Sequence, residues 1–231
     1  MILKSFGCSF IWGSDFPGDL YGRRGNASLL TWPAIAAREL GLEYQCYARA
    51  GSGNLSILRN VLNQVFQDPQ GIFLINWTFI DRFDFGDPQE QWQTLSPGSN
   101  TELAKIYYAD LHSEYRDKLC SLIYINQAMD ILTSQGISYV MTVADDLLFD
   151  TQWHTDPAIL HLQQKAKSAM YFFQGLGFVA WAKHRGFPIS DNNHPLLEAH
   201  KIAAELMIPV INTYITKEST CNLQKISASM K

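Results

Sequence analysis

Along the chain, short apolar and β-branched runs alternate with longer stretches whose apolar residues recur at helical spacing. Ile2–Phe6, Glu43–Ala48, Gly71–Trp77 and Ser138–Ala144 read as strands, each bordered by Gly, Ser, Asn or Asp. Between them Ser28–Leu40 is helical and stops at Gly41, a natural residue just past a helix end. Gly53–Phe66 is a second helical stretch, closed by Asp68-Pro69 and by the Gly71 that opens the next strand. Strand–helix–strand alternation of this kind predicts a parallel sheet with helices on both faces.

The middle of the chain departs from this rhythm. Gly86–Asn100, rich in Gln, Pro, Gly and Ser, reads as an exposed excursion, either a lid or a surface loop. A long helix-like stretch, Glu102–Ser134, follows it. Beyond the fourth strand, Asp145–Asp156 is loop-like, Pro157–Tyr171 helical and Phe178–Trp181 a weak fifth strand, and a helix starts after Pro195 and runs to about Met207. No internal repeat or low-complexity tract interrupts the pattern. A chain of 231 residues organised in this way is expected to form one domain, 1–231.

Composition narrows the function classes. Apolar residues make up 47% and charged residues 17%, the balance of a packed core rather than a disordered chain. The formal net charge of −4 is spread without a basic run, so neither nucleic acid nor a membrane surface is an expected partner. Cys8, Cys46, Cys120 and Cys221 lack metal-binding or redox spacing and are expected to be free thiols. His112, His154, His161, His184 and His200 likewise show no ligand spacing, so no metal is expected. The N-terminus carries no secretory pattern and no apolar run spans a bilayer, which gives a cytoplasmic location as the expectation.

Chemistry concentrates at strand ends, where parallel α/β sheets open their crevice. The first strand runs into Phe6-Gly7-Cys8-Ser9-Phe10, a glycine that permits a sharp turn followed by a serine whose amide is free to donate. Near the other end, Asp191-Asn192-Asn193-His194-Pro195 brings a carboxylate and an imidazole into one turn before the last helix. A serine hydroxyl becomes nucleophilic when an imidazole takes its proton, and a carboxylate on the other ring nitrogen orients that base. The plainer readings are a turn or helix cap at Ser9 and at Asp191 and a surface histidine at His194.

In order and context these two segments resemble the SGNH hydrolases, also called GDSL esterases and lipases. Gly7-Cys8-Ser9-Phe10 is similar to that family's first block, with Cys8 in place of the usual aspartate, and Asp191-Asn192-Asn193-His194 matches its Asp-x-x-His block. The resemblance implies a three-layer flavodoxin-like α/β fold with a mostly parallel sheet of about five strands. It also implies hydrolysis of carboxylic esters through Ser9, His194 and Asp191 without a cofactor. In the family's second block a glycine amide holds the oxyanion. Ala50-Gly51-Ser52-Gly53-Asn54 stands at that place, with Gly53 the favoured donor and Gly51 next. The third block, Gly-x-Asn-Asp in the family, is absent, and either Asn76 or Thr78 stands where a side-chain donor is needed. Trp12 and Trp77, each following a site strand, are candidate substrate platforms along with Gly51 and Asn54.

The expected substrate is a small-molecule or carbohydrate ester, with a short acyl group such as acetyl. The rival reading is a binding or assembly protein that keeps the fold while the altered third block has weakened catalysis. A flavin-binding protein is a more distant rival, because the first loop lacks a Ser/Thr-rich phosphate cradle. Neither the oligomeric state nor the natural substrate is written in the chain.

Overall fold

A computed structural model describes residues 1–19, 25–89 and 91–229, with side chains through residue 216. The elements run β1 (Ile2–Phe6), α1 (Ser9–Trp12), α2 (Trp32–Glu39), β2 (Glu43–Cys46), α3 (Asn54–Gln67) and β3 (Ile72–Trp77). A hairpin of β4 (Phe83–Gly86) and β5 (Trp92–Leu95) follows, then α4 (Glu102–Ile106), α5 (Glu114–Ser134) and β6 (Ser138–Val143). The last elements are α6 (Pro157–Lys167), α7 (Phe178–His184) and α8 (Leu197–Ser229).

The main sheet is parallel throughout, in the order β2-β1-β3-β6. Alternation along β3 builds both faces at once. Ile72 and Leu74 point into a core shared with α2, α7 and α8, whereas Phe73, Ile75 and Trp77 point into a second core with α3, α5 and α6. Every residue of β3 is buried, as expected of a strand covered on both faces.

Sequence and structure part at four points. The sheet has four strands rather than about five: beside β6 the fifth place is held by one parallel bridge, Met141 to Met170, with the Tyr171 amide donating to the Met141 carbonyl at 2.7 Å. Phe178–Trp181, expected as a strand, begins α7, because its apolar residues bury one helical side through Phe178, Val179, Trp181 and Ala182. The stretch Glu102–Ser134 is two α-helices joined by a π-helical turn at Tyr107–Leu111, since Ser113 caps α5 by accepting from the Arg116 amide. Within the excursion, Trp92–Leu95 pairs with Phe83–Gly86 as the antiparallel hairpin β4–β5.

Cys8, Cys46 and Cys120 are free thiols, and Cys221 lies outside the residues whose side chains are described. Among the described residues no helix is long and apolar enough to cross a membrane.

Candidate active site

Gly7 lies between β1 and the short helix α1. A Cβ there would come within 2.6 Å of Ile11 Cγ1 and 3.2 Å of the Asn76 carbonyl oxygen, so glycine suits a turn pressed between α1 and β3. The turn that follows places Ser9 as the first residue of α1, 6% exposed. Ser9 Oγ is 2.7 Å from His194 Nε2. The chain thus joins its first strand end to a turn that lies 185 residues away.

The other ring nitrogen of His194 does not meet Asp191. His194 Nδ1 is 2.7 Å from Asp15 Oδ2, and Asp191 stands exposed in the turn before the histidine. The local backbone accounts for the difference. The Asn193 amide donates to the Ser190 carbonyl, the Ser190 amide donates to the His194 carbonyl, and Asn193 takes a left-handed φ of 61°. In that tight turn Ser190 and Asn192 face Asp15, with Ser190 Oγ and Asn192 Nδ2 donating to Asp15 Oδ2 at 2.9 and 3.0 Å.

Partial burial opposes ionisation of Asp15. The hydrogen bonds from Asn192, His194 and Ser190 outweigh it and hold the carboxyl below its ordinary value. Asp15 itself sits at a left-handed φ of 67°, a conformation aspartate tolerates better than most residues. The signal available in the sequence was modest: an acid six residues after the serine, beyond the Gly13-Ser14 turn.

Three of the four expected oxyanion donors have other partners. The Gly53 amide donates to Asp84 Oδ1 at 3.0 Å, and Asn76 Nδ2 donates to Thr142 Oγ1 at 2.8 Å on the neighbouring strand. Thr78 Oγ1 donates to Cys8 Sγ at 3.1 Å, which is itself 4.0 Å from Ser9 Oγ. Hydrogen-bond partners thereby separate the two alternatives: Asn76 pairs with Thr142 on β6, and Thr78, one residue past the end of β3, pairs with Cys8 in the serine turn. Thiol sulfur is a weak acceptor, so this hydroxyl is the most easily redirected of the three.

The two tryptophans also differ. Trp77 is fully buried in the core under α3 and α5, where strand alternation sends it, so it is no platform. Trp12 is partly buried against the opposite core. Gly51 is exposed at the turn. Asn54 is buried and bound twice to Thr78, through Nδ2 to its carbonyl at 3.2 Å and through Oδ1 from its amide at 2.9 Å. The aromatic wall at the site comes instead from Phe10, 5.1 Å from the His194 ring, and Phe79, 5.8 Å from Phe10. Phe79 also lines a 470 Å³ cavity with Tyr108, Trp153, Asp81 and Asp145. Burial raises the carboxyls of Asp81 and Asp145 above their ordinary values.

Comparison of the fold with solved structures decides its class. The chain is similar to a lipolytic protein of the G-D-S-L family from Veillonella parvula, with TM-score 0.50 and 13% identity over 91% of this chain and 97% of that one. The fold is that of the SGNH-like hydrolases. An acetyl xylan esterase from Butyrivibrio proteoclasticus superposes with TM-score 0.53 and 12% identity, over 93% of this chain and 64% of that one. A carbohydrate esterase family 2 enzyme from Corynascus thermopiles gives TM-score 0.52 and 13% identity over 93% and 66%. The chain therefore spans just under two thirds of the length of these two esterases. No family model matches it, and no curated protein matches it in sequence.

Proposed function

We propose that this chain is a serine hydrolase of carboxylic esters, with Ser9 as nucleophile, His194 as base and Asp15 as the carboxylate that orients the base. The observation that carries the reading is the pair of 2.7 Å contacts on the two nitrogens of one imidazole, Nε2 to Ser9 Oγ and Nδ1 to Asp15 Oδ2. With the Nδ1 proton donated to Asp15, Nε2 is the acceptor and takes the Ser9 proton as Oγ attacks the ester carbonyl carbon.

The resulting oxyanion is held by the Ser9 amide and by the Thr78 hydroxyl, which turns from Cys8 Sγ to the stronger acceptor. Collapse expels the alcohol, which receives its proton from His194. Water then attacks the acyl-enzyme and gives its proton to His194, and the released Ser9 takes it back. The chemistry needs no cofactor.

Small or carbohydrate esters are the substrates this reading favours. Phe79 connects the wall beside His194 to the 470 Å³ cavity, whose Tyr108, Trp153 and carboxylates are groups that stack on and hydrogen-bond to a polyhydroxylated alcohol. The test is hydrolysis of p-nitrophenyl acetate and acetylated sugars by the wild type and by Ser9→Ala. The reading expects turnover that falls by at least about 10³-fold in Ser9→Ala. Equal rates in the two proteins would refute it.

A further inference from the structure

Asp84 is 94% out of solvent contact on the first strand of the hairpin, being 6% exposed, and its carboxylate is shared among three donors from two elements. Oδ1 accepts from the Gly53 amide at 3.0 Å and from Thr94 Oγ1 at 2.5 Å, and Oδ2 accepts from the Ser56 amide at 2.8 Å. Helix α3 has no side-chain cap of its own, since its N-cap residue is Gly53. Asp84 supplies that cap from 31 residues away, placing a negative charge where the helix start favours one.

A Cβ on Gly53 would fall 2.6 Å from Asp84 Oδ2, so the glycine makes room for the carboxylate. Burying a carboxylate is costly, and burial raises the Asp84 carboxyl above its ordinary value. A serine or aspartate at position 53 would cap the same helix without that cost. What the distant carboxylate adds is a tie between the hairpin and the turn.

That tie leads to the nucleophile. Asn54, the first residue of α3, clamps the backbone of Thr78 on both sides and is steadied by the Ser121 hydroxyl at 3.0 Å. Thr78 in turn holds its hydroxyl against Cys8 beside Ser9. Arg82 Nη1 braces the same turn by donating to the Ser52 carbonyl at 2.9 Å, and Arg49, just before the turn, ties to the hairpin by donating from Nη1 to the Trp92 carbonyl at 3.0 Å.

We infer that Asp84 is a positioning residue for the Ser9 site: the hairpin latches the 51–56 turn through this carboxylate, and the turn, through Asn54, sets where the Thr78 hydroxyl stands. The inference rests on the ester-hydrolase reading and goes beyond it by assigning the hairpin a part in turnover. Whichever way its amide is turned, Asp84→Asn sets an NH₂ against the backbone N–H of Gly53 or of Ser56 and opens the latch. Thr94→Val removes one donor with little change of volume, and Thr94→Ser keeps the hydroxyl.

The experiment measures kcat and KM for p-nitrophenyl acetate in these three full-length variants, with thermal unfolding as the folding check and fluorophosphonate labelling of Ser9 in parallel. Asp84→Asn and Thr94→Val are expected to lose about 10-fold to 100-fold in kcat, with KM close to wild type, and Thr94→Ser to recover most of the loss. Folded Asp84→Asn and Thr94→Val with wild-type kcat overturn the latch while leaving the hydrolase reading intact. If Asp84→Asn does not fold, the Thr94 pair decides, and equal kcat in Val and Ser variants overturns it. A wild type that is neither active nor labelled overturns the hydrolase reading and the latch with it.

Discussion

Asp15 and Asp191 offer His194 the same chemical group from two loops, and geometry alone separates them. Asp15 Oδ2 accepts from three side chains, whereas Asp191 is exposed in the turn. Asp15→Asn is therefore expected to lower kcat by about 10²- to 10⁴-fold, through a mis-oriented or wrongly protonated imidazole. Asp191→Asn should leave kcat close to wild type, and a reversed ranking in steady-state kinetics would return the acid role to Asp191.

That Ser9 and His194 come together was legible because each ends or begins an element with a recognisable turn. The carboxylate that meets the histidine was not, because which one reaches Nδ1 depends on a left-handed turn at Asn193 and another at Asp15 that no residue spacing announces. Trp77 was misplaced for a related reason. An aromatic residue at a strand end looks the same in sequence whether alternation turns it toward the crevice or into the core.

At the level of elements, the hydrophobic pattern located all four parallel strands and the helices that cross between them. It failed where pattern and partner disagree. Phe178–Trp181 is too short and too uniformly apolar to separate strand from helix, and packing of α7 decides the matter. The polar excursion after β3 hid the hairpin, whose strands are only four residues each.

Different hydrogen-bond partners divide the two residues left open around the end of β3. Thr78→Val should cut kcat by about 10- to 10³-fold while leaving thermal stability near wild type, because it removes a donor aimed at the serine turn. Asn76→Ala should instead cost about 1–3 kcal/mol of stability, since its amide pairs with Thr142 between β3 and β6. Parallel kinetics and urea unfolding check both. Loss of turnover in Asn76→Ala alone would exchange the assignments.

The two cores of the molecule meet at the sheet, and the one that carries α2 and α8 is fastened by a histidine. His200 is buried, and its Nδ1 accepts from the Trp32 amide at 3.0 Å where α2 begins. Burial pushes this imidazole down to about 3, against a hydrogen bond with the Pro195 backbone that favours its charged form. Between pH about 6.5 and about 3 the unfolded chain binds a proton that the folded chain does not, so this group makes stability fall as pH falls through that window. The slope it contributes is up to about 1.4 kcal/mol per pH unit. Buried carboxyls such as Asp84 and Asp145 act in the opposite direction, because their folded forms hold protons more tightly. The difference between wild type and His200→Asn in urea titrations across this range isolates the histidine, and parallel pH profiles would contradict the account.

On the proposed reading, the fold presents Ser9 to His194 as a nucleophile. The most direct measurement is intact-protein and peptide mass spectrometry after reaction with a fluorophosphonate, in wild type, Ser9→Ala and Asp15→Asn. One adduct per chain is expected, located on Ser9, absent from Ser9→Ala and formed more slowly in Asp15→Asn. A folded wild type that takes no adduct, or one that carries it on another residue, would contradict the account.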